Sequence, residues 1–258
     1  MIEPKQFRFG WWRAGASGQG VTARLRLARP TQLIDIKRTA GLRMLEADSR
    51  RLRFGACWTH AEIEDATIED PTNGLLPHVA HGIAYRAVRN RGTVGGSLAH
   101  ADPAADWLTT MAVLDATIIV QGANGARSCP ATAFVQGPFA TALGPAELIT
   151  AIDLPRLSVA ARWGYHKVCR KTGEFARAIG AEVLDERTGL ARVVCGASGA
   201  APIELPRTAA RLAEAGSTAA SDLIADELSR LRGAAPWQVH AVAVRRALAQ
   251  IATPAGSA

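Results

Sequence analysis

Short apolar and β-branched segments predict strands in the first part of the chain. TQLIDIKR (31–38), LRMLEAD (42–48) and RRLRFGACW (50–58) alternate apolar and polar positions, which is typical of short strands. Further along, TIIVQG (117–122) predicts a buried strand, and ELITAIDLP (147–155) predicts a strand that its final proline ends.

Helices are predicted between these strands. Thr59 and Glu62 match a capping box, in which the hydroxyl accepts a backbone N–H and the carboxylate reaches back. A short helix should therefore begin there. Apolar residues at helical spacing predict a buried helix over 73–89 and another helix over 107–116.

Beyond Pro155 the pattern changes to strands followed by helices. Strands are predicted at 164–171, 178–185 and 190–199, and helices at 209–215, 221–231 and 238–251. This order indicates an α+β arrangement rather than alternating βαβ units. We therefore predict a first domain over 1–156, a small α+β domain over 157–252 and a tail at 253–258.

The composition is that of a globular protein. The chain has 258 residues, of which 48% are hydrophobic and 21% charged. No apolar run approaches the roughly 20 residues of a membrane span, and the first residues lack the apolar core of a secretory signal. The four cysteines lie far apart without a CxxC pair, which argues against a metal site in this chain and favours the cytoplasm.

The net charge of +7 is uneven, because basic residues crowd positions 24–53. A basic surface suits nucleic acid, an anionic cofactor or an acidic partner, and it is also typical of a merely solvated face. We expect no nucleic acid, since there is no recognisable finger, RRM or zipper pattern and aromatic residues are only 5% of the chain.

The motif RNRGTVGGSLAHADPAAD (89–106) carries the candidate chemistry. Backbone N–H groups of Thr93-Val94-Gly95-Gly96-Ser97 could converge on one site, since glycine tolerates positive φ and such N–H groups bind anions like a diphosphate. Thr93 and Ser97 add hydroxyls. Asp102 and Asp106 are acceptors that suit ribose or ribityl hydroxyls. Together these groups suggest a dinucleotide.

Each part of the motif also has a structural interpretation. A glycine pair is common in tight turns, and Asp102 could cap a helix with Pro103 at its first position. The motif is neither a GxGxxG after a strand nor a Walker loop, which excludes the Rossmann and P-loop interpretations. The residues alone lead no further than a nucleotide cofactor.

The same motif resembles the flavin-binding signature of the FAD-binding medium subunits of molybdenum hydroxylases, the family of the carbon monoxide dehydrogenase medium subunit and the xanthine dehydrogenase flavin domain. The similarity continues in PAELITAIDLP, GYHKVCRKTGEFARAIGAEV and WQVHAVAVRRALAQ. It implies an α+β fold, with a two-part FAD-binding domain of the PCMH type followed by a small C-terminal domain of the carbon monoxide dehydrogenase flavoprotein type.

The resemblance also implies roles for individual residues. Thr93-Val94-Gly95-Gly96-Ser97 would hold the FAD diphosphate, and Asp102 and Asp106 would lie near ribityl and ribose oxygens. Ile149 would pack on the flavin, Tyr165 would lie beside the isoalloxazine and Lys167 would contact the cofactor. The structural alternative for Tyr165 and Lys167 is that they are ordinary strand residues, with one side chain in the protein interior and one out in the solvent.

The chain departs from the family at a second glycine-rich loop, which normally reads AGGQSL. Here the corresponding segment is Ala14-Gly15-Ala16-Ser17-Gly18, in which Gly15 is kept and Ala16 replaces a glycine. Either Gly18-Gln19-Gly20 builds another loop or FAD binds weakly or not at all. We expect binding to be retained, since the motif at Thr93 is intact.

The resemblance implies an FAD-binding electron-transfer subunit in a heterotrimer with a large molybdopterin-binding subunit and a small [2Fe–2S] subunit. Electrons would pass to an acceptor such as NAD, quinone or oxygen, and no catalytic acid, base or metal ligand is expected on this chain. A flavin-poor structural subunit and a stand-alone flavin reductase stay open as alternatives. His78, His81 and His100 are predicted to be structural.

Overall fold

The computed structural model describes residues 35–232 and 237–252. Gly15 and the predicted tail 253–258 lie outside the described residues. The strand predicted at 31–38 lies partly outside them, and its described part, 35–38, is not a strand.

A five-stranded antiparallel sheet forms the first layer, with strand order β1-β2-β7-β3-β4. The strands are β1 (Leu45–Ala47), β2 (Arg51–Gly55), β3 (Thr117–Gly122), β4 (Gly125–Pro130) and β7 (Leu148–Pro155). The predicted strands at 117–122 and 147–155 are confirmed almost to the residue. Most of their apolar side chains are buried, which explains why the sequence pattern was clear.

Five short helices connect these strands and cover the sheet. They are α1 (His60–Glu64), α2 (Leu75–His81), α3 (Arg86–Arg89), α4 (Val94–His100) and α5 (Asp106–Val113). The capping box is confirmed, because Thr59 Oγ1 accepts from the Glu62 N–H and Glu62 accepts from the Thr59 N–H. The single helix predicted over 73–89 is wrong. The chain breaks between α2 and α3, where Ala84 has a φ of 45°.

The remaining elements of the first part are small. A 3-10 turn covers Ala40–Leu42, α6 covers Ala131–Phe134, and β5 (Val135–Gly137) pairs with β6 (Ala140–Thr141).

A second antiparallel sheet has the order β11-β10-β9-β8. It consists of β8 (Arg162–Val168), β9 (Ala178–Asp185), β10 (Leu190–Gly196) and β11 (Ile203–Glu204). The prediction of three strands missed β11, which is two residues long and carries no periodic signal. Helices follow, as predicted: α7 (Pro206–Ser221), α8 (Ile224–Arg232) and α9 (Gln238–Ala252). Every helix in the described part of the chain is too short or too polar to span a lipid bilayer.

The second sheet is buried on both faces. Ile179, Ala181 and Val183 of β9 join a large core that contains both sheets and helices α4 and α5. Leu184 on the other face belongs to a second core with α7 and α9. Because the large core crosses residue 156, the chain packs as a continuous body there, and the division into 1–156 and 157–252 stays a prediction.

Glu182 is an exception to the apolar second core. Its side chain is fully buried, and neither carboxylate oxygen has a hydrogen-bond partner among the described residues. Burial raises the pKa of Glu182 well above its usual value, so the side chain stays protonated. Cys195, on the neighbouring strand, is also held neutral, since burial raises the pKa of its thiol to about 12.

We expect Glu182→Gln to become progressively more stable than the wild type as the pH rises. Glu182 ionises near pH 4.3 in the unfolded chain but keeps its proton in the folded chain. Above that pH the wild type therefore loses up to about 1.4 kcal/mol of unfolding free energy per pH unit, and the variant does not. Urea unfolding at about pH 5 and about pH 7 measures this difference. The control is Glu214→Gln, whose side chain is 70% exposed. A difference that is independent of pH would contradict the assignment.

Candidate functional site

The residues after Thr93 form the first turn of α4 rather than a loop. Thr93 is the N-cap, and its Oγ1 accepts from the Gly96 N–H at 3.0 Å. Gly95 and Gly96 are helical, so the expected positive φ is wrong. Gly95 is needed for close approach instead. A Cβ there would lie 2.8 Å from the carbonyl oxygen of Ala56 and closer still to the Ala56 Cβ.

The N–H groups of the first three helical residues of α4 all have acceptors within the protein. Val94 donates to the Trp58 carbonyl, Gly95 to the Ala56 carbonyl, and Gly96 to Thr93 Oγ1. These N–H groups are normally left unsatisfied at a helix start and available to an anion. In this structure the carbonyls of Ala56 and Trp58 and the cap accept from them, and their binding of a diphosphate stays a prediction.

Four of the predicted site residues nevertheless line one cavity of about 210 Å³: Ser97, Asp102, Asp106 and Lys167. They come from α4, the turn after it, α5 and β8, so the fold brings together residues 97–106 and a residue of a distant strand. Apolar groups such as Ile83, Val88 and Ala105 complete the walls, and Phe175 lies at the rim with 61% exposure.

The carboxylate of Asp106 binds two other predicted site residues, Tyr165 and Lys167. It is 6% exposed at the first residue of α5. Tyr165 donates its hydroxyl to Oδ1 at 2.6 Å, and Lys167 Nζ lies 2.9 Å from Oδ2. Lys167 also donates to the Gly82 carbonyl at 3.3 Å. Tyr165 and Lys167 are two residues apart on β8 and reach the same carboxylate, so the alternative of one side chain in and one out is wrong.

Tyr165 acts as a buried donor in this arrangement. Burial, and next the charge of Asp106, raises the pKa of Tyr165 well above its usual value, so the phenol keeps its proton. Its ring lies edge-on to His78 at 6.0 Å and belongs to the large core. The cavity is not lined by Tyr165, and its place beside the isoalloxazine stays a prediction.

The structure gives other surroundings to Ile149, Thr93 and Val94, and it gives Asp102 a backbone hydrogen bond as well. Ile149 is buried in β7 opposite Val120 and does not line the cavity. Asp102 accepts from the Ala104 N–H at 2.9 Å and stabilises a turn, so it is not the cap of α5, which begins at Asp106. Thr93 and Val94 are buried at the helix start.

Sequence reasoning missed His60 and Trp107 as cavity residues. Both line the cavity, and Trp107 Nε1 donates to His60 Nδ1 at 3.0 Å. In the sequence His60 is only the first helical residue after a cap, and Trp107 is an apolar helix residue. Their 47-residue separation left no signal that a local pattern could have shown.

The cavity suits part of FAD, the cofactor that the family resemblance implies. Its hydroxyl, carboxylates and ammonium group match a hydroxylated chain, and its apolar walls match an aromatic ring. At about 210 Å³ it is smaller than the roughly 300–1,000 Å³ of pockets for whole ligands, so it would hold only a portion of the dinucleotide.

We expect Lys167→Met to lower the free energy of unfolding by about 3 kcal/mol, because it leaves the buried Asp106 carboxylate without its cation. Urea unfolding without added flavin measures this loss. Lys171→Met at an exposed position is the control. A loss no larger than that of the control would mean that the ion pair does not stabilise the fold.

We expect Gly95→Ala to destabilise the protein by about 1–3 kcal/mol, because the new methyl group must displace Ala56 or shift α4. Gly41→Ala is the matched control, since nothing lies within 4 Å of a Cβ there. Thermal unfolding of both variants separates this packing effect from the general effect of replacing a glycine. Equal melting temperatures would exclude the close approach.

Comparison with known proteins identifies the family of this chain. Residues 13–157 match the family described as the FAD binding domain in molybdopterin dehydrogenase. The nicotine 6-hydroxylase medium subunit of Paenarthrobacter nicotinovorans is 35% identical over 175 residues, which are 67% of this chain and 61% of that protein. The carbon monoxide dehydrogenase medium chain of Hydrogenophaga pseudoflava is 34% identical over 166 residues, 64% of this chain and 58% of that chain. The matches thus span about three fifths of these relatives' length.

The fold agrees as well. A carbon monoxide dehydrogenase structure from Hydrogenophaga pseudoflava, in the form that lacks the Mo-pyranopterin moiety of the molybdenum cofactor, superposes with a TM-score of 0.81 at 29% identity. The superposition covers 92% of this chain and 88% of that one, which confirms the predicted α+β fold. With the family match extending over more than half of its residues, the chain belongs to the family of FAD-binding domains of molybdopterin dehydrogenases.

Proposed function

We propose that this chain is the FAD-binding electron-transfer subunit of a heteromeric molybdenum hydroxylase. The observation that carries the proposal is the convergence of Ser97, Asp102, Asp106 and Lys167 on one cavity, in a chain whose residues 13–157 match the family. The chemistry that bound FAD would supply is the passage of electrons from [2Fe–2S] clusters on a small partner subunit to an external acceptor.

The chain's own residues would bind and orient the cofactor. Ser97 and Asp102 offer a hydroxyl and a carboxylate to ribityl or ribose oxygens. Lys167 is fixed by Asp106, so its ammonium group is held at the cavity wall instead of moving with solvent. The apolar walls exclude water from the space around it. No proton transfer by this chain is required.

The partners proposed are a large molybdopterin-binding subunit and a small [2Fe–2S] subunit. The support is that relatives bear the names medium subunit and medium chain. We place the complex in the cytoplasm, because the chain's four cysteines are reduced thiols.

The basic N-terminal quarter gives little support for partner docking. Among its described residues, Arg43 pairs with Glu62, and Arg51 and Arg53 both pair with Asp153. These three arginines are paired within the fold, which leaves fewer of the basic residues available to a partner.

A second candidate function is a flavin-poor structural subunit of the same complex. The observation that favours it is the internal pairing of the first three N–H groups of α4, those of Val94, Gly95 and Gly96. A diphosphate would find no free backbone donors there, and its binding would depend on other groups.

We expect the purified full-length chain to carry about one FAD, seen as a flavin absorption spectrum and identified by chromatography after heat release. Co-purification with molybdenum- and iron-containing subunits on co-expression would support the assembly. A colourless chain that also fails to bind added FAD, yet still assembles, would overturn the proposal in favour of the structural subunit.

A further inference from the structure

His60 and Trp107 form a hydrogen-bonded pair at the cavity wall and have no role in the proposed function so far. His60 begins α1 and is 3% exposed, and Trp107 is fully buried in α5. Trp107 Nε1 carries a hydrogen and can only donate, so His60 Nδ1 must be the acceptor in their 3.0 Å hydrogen bond. In a neutral imidazole the proton is then on Nε2.

We infer from the hydrogen bonds of the described residues that the Nε2–H group reaches the cavity. No hydrogen bond from Nε2 is found in the described part of the chain, and Nε2 is not among the fully buried atoms that lack a partner. This agrees with its reaching the cavity that the His60 ring lines. Gly92 allows this placement, since a Cβ at that position would lie 2.7 Å from Nε2.

The imidazole is held in its neutral form by its surroundings. Burial first, and the nearby positive charge of Arg89 second, lower the pKa of His60 to about 3. Arg89 itself is fixed by two hydrogen bonds to Glu64 and by the carbonyls of Ile83 and Ala84. The site therefore offers a hydrogen-bond donor without a positive charge.

We propose that His60 is a further cofactor-binding residue, whose Nε2–H donates to an acceptor atom of FAD in the cavity, and that Trp107 is the positioning residue that fixes this tautomer. The inference rests on the proposed function, since it names a contact to the same cofactor. An acceptor oxygen or nitrogen fits this position, whereas an N–H or O–H group of a ligand would meet a donor.

The first test compares FAD affinity in three variants of the full-length chain. His60→Phe keeps an aromatic ring at this position but has no ring nitrogen. We expect it to weaken FAD binding about tenfold. His60→Gln keeps an amide N–H near Nε2 and should restore much of the affinity. The matched control is His81→Gln, because His81 is 78% exposed, pairs with Glu64 and lies outside the cavity lining.

The second test observes the ring directly. In a chain with ¹⁵N-labelled histidine, NMR should show His60 as the neutral Nε2–H tautomer, assigned by the loss of its signals in His60→Gln. Adding FAD should move the Nε2 proton downfield. Trp107→Phe, after a check of its folding by circular dichroism, should show a mixture of tautomers.

The outcomes separate the two proposals. A wild-type chain that does not bind FAD overturns the proposed function and this contact with it. A wild type that binds FAD, with unchanged affinity in His60→Phe and no movement of the His60 signals, overturns the contact alone. A single Nε2–H tautomer in Trp107→Phe overturns the positioning role of Trp107.

Discussion

The ion pair and hydrogen bond on Asp106 are the interaction on which the rest of the site depends. They join the start of α5, within the RNRGTVGGSLAHADPAAD motif, to Tyr165 and Lys167 of the second sheet. A buried carboxylate is costly unless it is paired and hydrogen-bonded, so the start of α5 and strand β8 must stay in contact at this point. The cavity exists because the two parts of the chain are held together there.

A second constraint acts at the start of α4. The helix approaches Ala56 so closely that only glycine fits at position 95. The carbonyls of Ala56 and Trp58 accept hydrogen bonds from the first two N–H groups of the helix. The glycines of the motif are therefore explained by packing. The same contact aims the side chain of Ser97 into the cavity, so a structural requirement and a binding surface share one short helix.

Much of the fold followed from local signals. The strands at 117–122 and 178–185 and the cap at Thr59 were predictable, because burial imposes a periodic apolar pattern and the cap requires particular side chains at a fixed spacing. The break between α2 and α3 was not predictable, since apolar residues continue at helical spacing through it. The helical start of α4 was also missed, because a glycine pair indicates a turn in most contexts.

The sequence by itself determined the family, the α+β order of strands and helices, and the membership of Ser97, Asp102, Asp106 and Lys167 in the candidate site, since the motif and its continuation are linear patterns. Only the tertiary structure decided that Tyr165 and Lys167 meet Asp106, that the N–H groups of α4 are occupied, and that Trp107 sets the tautomer of His60. The contacts of Asp106 and of Trp107 join residues many positions apart, and the packing of α5 against the second sheet and against His60 brings them together in a way that no local pattern of side chains encodes.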